Sequence, residues 1–280
     1  MVEILPELKP GTVLWAFGLT LFAGLATGIG SVIAFFAKRT NFRFLALSLA
    51  FSAGVMLFVS FTEILPKATE SLAHHYGARS AGWLSNAGFF AGIVFMALID
   101  ALVPKAENPH ELRPDADLEQ LRDKSFHPHP GLWRMGLFTA MAIGIHNFPE
   151  GMATFMAALE SPSAGIAIAV AVALHNIPEG ISVSVPVFYA TGDRRRAFLW
   201  SFGSGLAEPL GGLVAVFALD TFLPAHAMGM VFAAVAGIMV YVCIDELLPA
   251  SRTYGKSHEV LAGIVLGMAI MAASLLLLKT

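Results

Sequence analysis

The chain has 280 residues, 56% of them hydrophobic and 13% charged, with a formal net charge of −3. A soluble domain carries about 25% charged residues, so the composition excludes an ordinary soluble fold, and the near-neutral balance gives no reason to expect nucleic acid as a partner. The single cysteine, Cys243, excludes an intrachain disulfide framework and any multi-cysteine metal cluster.

Crossing a bilayer takes about 20 mostly apolar residues. In chain order, such runs fall at 13–37, 44–66, 81–103, 132–159, 162–190, 196–219, 225–249 and 259–278. They predict an all-α polytopic membrane protein with eight transmembrane helices in one transmembrane domain over 1–280. The first run is 25 residues without a charge, too long for the core of a signal peptide, and reads as a retained helix. Spans one, two, three and eight are plain apolar runs, whereas span six carries Glu208 and span seven ends in Asp245–Glu246. Residues 105–131, between spans three and four, hold four prolines and mixed charge and read as a loop.

The basic residues orient these spans. Of 17 Lys and Arg, Lys9, Lys67, Arg79 and Lys279 fall on the side of the termini, and the other 13 lie in connections 1–2, 3–4, 5–6 and 7–8. The positive-inside rule makes those connections cytoplasmic and both termini extracytoplasmic.

Two hexapeptides, HNFPEG at 146–151 and HNIPEG at 175–180, lie 29 residues apart in spans four and five. Each places ionisable side chains at membrane depth, where they are costly and mark functional sites. His146 and Glu150 are i and i+4, as are His175 and Glu179, so each pair shares a helix face. Pro149 and Pro178 cannot donate to the carbonyls of Ile145 and Leu174, which frees a backbone oxygen beside each motif. Imidazole and carboxylate ligands together suit first-row divalent metals, and two facing copies would converge on one metal site. The blander reading is that each His and Glu pairs locally to stabilise a kink. Glu208, mid-span and followed by Pro209 without a nearby Lys or Arg, needs a partner and is expected to join the site.

The chain also repeats itself. AGVMLFVSFTEILP at 53–66 matches AGIMVYVCIDELLP at 236–249 in seven of fourteen positions, and GLATGIGSVIAFF at 24–36 matches GLAEPLGGLVAVF at 205–217 in six of thirteen. AGIV occurs at 91–94 and 262–265. Spans 1–3 therefore resemble spans 6–8, and span four resembles span five. Both displacements are by an odd number of spans, so the copies run in opposite directions across the bilayer, an inverted repeat of the transporter kind. Glu63 and Glu246 are repeat equivalents near helix ends, with Asp245 beside the second. They read either as the first and last carboxylates on a cation's route or as groups solvating helix ends. Asp100 is a weaker case of the same kind. His127 and His129, with His110, sit in the 105–131 loop and read as transient metal ligands or as plain solvated loop residues. Met56 and Met239 read as packing residues.

The doubled HNxPEG motif in an eight-span chain, with GLAEPLGG and DELLP, resembles the ZIP (Zrt-, Irt-like protein) family of divalent metal transporters, and most closely its bacterial ZupT type. The resemblance covers essentially the whole chain. It implies import of zinc and related cations (iron, manganese, cobalt, cadmium) into the cytoplasm as substrate, with no resident cofactor and no enzymatic reaction. It implies a binuclear site in which His146, Asn147 and Glu150 match the first motif and His175, Asn176 and Glu179 the second, with Glu208 helping to hold the second ion. It also implies a contribution from span two at Met56 or a neighbour, a homodimer in the cell membrane, and an elevator-like or rocking motion of one helix bundle against another. Many members carry His near the positions of Glu63 and Asp245. Acidic residues there favour iron and manganese relatively more than imidazole would. An intramembrane metalloenzyme and a metal-sensing membrane protein are the alternatives, although HExxH and GxSxG are absent.

Overall fold

A computed structural model describes residues 9–36, 41–102, 130–160, 162–218 and 225–278. The 105–131 loop up to residue 129, with His110, His127 and His129, lies outside the described residues. Those residues form helices α1 (Pro10–Phe36), α2 (Phe42–Val59), α3 (Leu65–Tyr76), α4 (Ala78–Leu102), α5 (Pro130–Glu160), α6 (Pro162–Thr191), α7 (Arg194–Gly205), α8 (Ala207–Ala218), α9 (Ala225–Val242), α10 (Leu248–Tyr254) and α11 (Ser257–Leu278).

Among the described residues, six helical rods are long and apolar enough to cross a membrane: Pro10–Val32, Phe42–Tyr76, Ala78–Ala101, Ile168–Thr191, Ala227–Tyr254 and Ser257–Leu277. The second and fifth are composite. A π-helical turn at Ser60–Ile64 joins α2 to α3, and another at Cys243–Leu247 joins α9 to α10. Each is followed within two residues by a proline, Pro66 or Pro249. The extra residue in a wide turn accommodates a ring that has no N–H to donate, and such turns recur at functional sites. Glu63 sits in the first turn, and Asp245 and Glu246 sit in the second.

The region of the expected fourth span is one helix, α5, whose apolar run is diluted by the polar hexapeptide. The region of the sixth is divided: α7 ends at Gly205, Leu206 stands between, and α8 begins at Ala207. Pro209 explains the division. Its missing N–H and its ring disfavour a continuous helix through Gly205, and the Leu206 N–H is shared between the carbonyls of Phe202 and Gly203. In contrast, α5 runs on through Pro149, and α6 through both Pro178 and Pro186.

The helices form two groups. In the first, α1 packs on α6, α5 packs on α6 and α8, and α7 lies against α1 and α6. In the second, α9 packs on α3 and α4, and α11 and α10 pack on α2. The groups meet where α2 and α11 touch α6 and where α9 touches α5. Apolar side chains such as Trp83, Phe90 and Leu98 of α4 and Leu261, Val265 and Leu276 of α11 are exposed, as expected for surfaces solvated by lipid tails.

Glycines let the backbones of the first group approach closely, as membrane helix interfaces require. A Cβ on Gly151 of α5 would run into the backbone of Glu208 in α8, and one on Gly211 of α8 would run into Phe148 of α5. A Cβ on Gly180 of α6 would meet the backbone of Thr27 in α1, and one on Gly30 of α1 would meet Ile177 of α6. The four helices are thereby locked around the two hexapeptides.

Candidate metal site

His146, Asn147, Glu150, His175, Asn176, Glu179 and Glu208 are all buried, none more than 6% exposed. The i, i+4 spacing puts His146 with Glu150 on one face of α5, and His175 with Glu179 on one face of α6. The two faces meet, and the pairing is crossed. His146 Nε2 lies 2.9 Å from Glu179 Oε1, and His175 Nε2 lies 2.9 Å from Glu150 Oε1. The first is an aligned hydrogen bond, whereas the second has the distance without the alignment. Each histidine reaches the other helix's carboxylate, so the motifs do not pair locally to stabilise their own kinks.

The two asparagines extend the site in different directions. With its amide oriented to suit its neighbours, Asn147 places Nδ2 3.2 Å from Glu179 Oε2 and 3.3 Å from the Ile143 carbonyl. Asn176 Nδ2 donates to the Ala23 carbonyl of α1 at 2.9 Å and to Glu208 Oε2 at 2.8 Å. That second bond brings Glu208 into the site. Glu208 lies in the first turn of α8, where the positive end of a helix dipole favours a carboxylate. The break at Leu206 therefore does chemical service, because a continuous helix would have no such end at that depth.

Three carboxylates thus gather at one place: Glu208 lies within electrostatic range of Glu150 and Glu179, and the ion pairs of the latter two are with histidines. Several buried polar atoms there are without a hydrogen-bond partner: His146 Nδ1, Glu150 Oε2, Asn176 Oδ1 and Glu208 Oε1. Unpaired buried charge is strongly unfavourable, and a cation is the group that would satisfy so many lone pairs at once. The side chains are paired with one another rather than spread about a common point, and among the described residues no group of three or more His, Cys, Asp or Glu side chains is arranged to hold a metal ion.

The remaining acidic residues of interest lie apart. Asp100 of α4 and Asp245 both lie close to the Tyr241 hydroxyl. Glu246, buried beside them, accepts a 2.5 Å hydrogen bond from the Thr139 hydroxyl of α5. Glu63 instead forms an ion pair with Lys67, one turn on in its own rod. Met56 and Met239 are fully buried, and the Ser60 hydroxyl points at Met239 Sδ from 3.7 Å. Thr139, Tyr241 and Cys243 are not singled out by sequence reasoning. Cys243 is buried within electrostatic range of both Glu179 and Glu246. A single Thr or Tyr in an apolar helix carries no periodic signal; only the repeat alignment, which sets Cys243 opposite Ser60, draws the eye to the position.

The model of the ZIP zinc transporter family matches residues 102–275. The chain is 58% identical over 268 residues to the zinc transporter ZupT of Lysinibacillus sphaericus, covering 96% of this chain and 99% of that protein. It is 55% identical over 271 residues to ZupT of Nitratidesulfovibrio vulgaris, covering 95% and 98%. It is 52% identical over 280 residues to ZupT of Clostridium perfringens, covering 95% and 96%. The family match over more than half of the chain, together with near-full-length identity above one half, establishes that this chain belongs to the ZIP family of zinc transporters.

Proposed function

We propose that this chain carries divalent metal cations (zinc, and with it iron, manganese, cobalt and cadmium) across the bilayer into the cytoplasm, through a site built from His146, Asn147, Glu150, His175, Asn176, Glu179 and Glu208. The observation that carries this reading is the crossed pairing of two buried His–Glu sets joined through Asn176 to a third carboxylate. A cation held by nitrogen and oxygen at about 2.0–2.1 Å spaces adjacent ligands by roughly 3–3.4 Å. The 2.9 Å His–Glu separations are close to that, so small side-chain movements convert each pair from mutual contact to shared ligation. Two neutral imidazoles with three carboxylates offset most of the charge of two divalent ions, which favours a binuclear site with Glu208 on the second ion.

Transport also needs an architecture with two accessible states. Among the described residues, six rods are long and apolar enough to cross the membrane. Adding α5 as one span and the broken α7–α8 pair as another makes eight, with both termini extracytoplasmic and residues 105–131 as a cytoplasmic loop of a single transmembrane domain. The inverted repeat gains support from matching contacts. Gly151 meets Glu208 as Gly180 meets Thr27, and Gly211 meets Phe148 as Gly30 meets Ile177. Gly88 and Gly92 meet Ala233 and Ala234 as Gly263 and Gly267 meet Ala50 and Phe51. This last set pairs α4 with α11 one helical turn away from the register of the AGIV match. The two π turns, Ser60–Ile64 and Cys243–Leu247, are equivalent under the same repeat. The helix group that holds the site would move against the other, with Asp100, Asp245 and Glu246 on the cytoplasmic route, Glu63 on the outer one, and His127 and His129 receiving metal in the loop. The protein would work as a homodimer in the cell membrane.

The test is uptake into sealed proteoliposomes of zinc, iron(II), manganese and cadmium, wild type beside Glu150→Ala. Saturable wild-type uptake that is lost in the properly inserted variant supports the site. Equal uptake by both refutes it.

A further inference from the structure

Two hydrogen bonds between side chains and the opposite helix group cross the seam where those groups meet. Thr139 of α5 donates its hydroxyl to Glu246 Oε2 at 2.5 Å, with both residues buried. Tyr189, near the end of α6, donates its hydroxyl to the carbonyl of Asn41, the residue that caps α2, at 2.6 Å. The Tyr189 ring also stands edge-on to Phe42 at 6.0 Å, and Phe42 stacks on Tyr254 of α10. Asn41 borders the connection between spans one and two, and Tyr189 borders the connection between spans five and six. Both bonds therefore lie on the side the basic residues mark as cytoplasmic. Under the repeat, Glu246 corresponds to Glu63 and Thr139 corresponds to Ile168. Ile168 has no hydroxyl, and Glu63 pairs with Lys67 in its own rod. The seam is thus tied by this device on one side and not at the equivalent place on the other.

We propose that Thr139 is a positioning residue for transport: with Tyr189 it latches the two helix groups together on the cytoplasmic side, and an arriving cation opens the latch by taking the Glu246 carboxylate. Glu246 accepts from Thr139 through one oxygen, while Oε1 has no hydrogen-bond partner. A neutral hydroxyl competes poorly with a divalent cation for a buried carboxylate. Cys243 lies within electrostatic range of both Glu179 of the hexapeptide site and Glu246, so the carboxylate that closes the seam is an acidic group close to the site the cargo would leave. This rests on the reading of the chain as a transporter whose two helix groups move against each other.

Cys243 is the sole cysteine, buried at the seam beside Glu246, and so serves as a native reporter. Its labelling by a membrane-impermeant maleimide applied from the cytoplasmic face, without added metal, is compared among wild type, Thr139→Val, Thr139→Ser and Tyr189→Phe, with zinc uptake measured in the same vesicles. Loss of one hydrogen bond to a charged group is expected to speed labelling roughly tenfold in Thr139→Val. Tyr189→Phe is expected to move the same way, and Thr139→Ser to label like wild type. The uptake kcat of Thr139→Val changes at least about twofold while KM holds, which a merely structural defect would not separate. Labelling of Thr139→Val and Tyr189→Phe at the wild-type rate overturns the proposal, as does acceleration in Thr139→Ser or acceleration from the outer face alone. If Thr139→Val does not insert, Tyr189→Phe decides the matter. Absent zinc uptake by wild type would instead refute the transport reading on which the latch rests.

Discussion

Gly151 is the position at which a single methyl group should separate packing from metal handling. In Gly151→Ala the new Cβ collides with the backbone of Glu208, a part of α8 that cannot rotate away. The substitution gains about 1 kcal/mol of helix propensity, but backbone must shift to admit the methyl group, so overpacking costs about 3 kcal/mol or more and the net loss of stability is about 2 kcal/mol or more. The larger consequence is geometric. Pushing α8 away stretches the 2.8 Å bond from Asn176 to Glu208, and a hydrogen bond to a charged group contributes about 1.5–3 kcal/mol. That corresponds to a rise of roughly 10- to 100-fold in KM for zinc if Glu208 holds an ion. Gly92→Ala is the control, because its Cβ meets the backbone of Ala234 in the other helix group, away from the hexapeptides. Thermal unfolding in detergent should show comparable losses for both variants, while proteoliposome uptake should show a raised KM for Gly151→Ala alone. Equal KM values for the two variants would refute the assignment of Glu208 to the site.

Three further outcomes are expected. Glu179→Ala should abolish uptake and also destabilise the protein by about 1–3 kcal/mol, because His146 Nε2 loses its acceptor; wild-type uptake by the inserted variant would contradict this. Replacing Asp245 by His should raise zinc over manganese in competition uptake, since imidazole is the softer ligand, and an unchanged ratio would remove Asp245 from the route. Deleting residues 108–128 should leave zinc uptake within about twofold while changing its regulation, since neither the hexapeptide residues nor Glu208 lie in that segment; loss of uptake in a normally inserted protein would show that the loop belongs to the transport machinery.

The membrane setting, the helical class and the residues of the candidate site are legible in the sequence by itself, because each has a one-dimensional signature. Apolar runs of sufficient length permit only helices, since a bilayer offers the backbone no other partner. His and Glu four apart in two copies define two polar helix faces whatever those faces meet. Glu208 stands out because an isolated carboxylate in an apolar run has no partner nearby in the chain. What the faces do to each other depends on the tertiary structure. The i, i+4 rule places His146 beside Glu150, yet His146 reaches Glu179, because a side chain on a shared helix face can lean across to the neighbouring helix as readily as along its own. The break at Leu206 and the π turns at Ser60–Ile64 and Cys243–Leu247 involve prolines that a sequence displays. Whether a proline is absorbed within a helix, as Pro149 and Pro178 are, or divides one, as Pro209 does, depends on which neighbouring backbone comes close enough to compensate. Thr139 finds Glu246 only because the fold brings α5 beside the π turn at Cys243–Leu247. The sequence names the chemical groups that face inward, and the packing of helix on helix decides which of them touch.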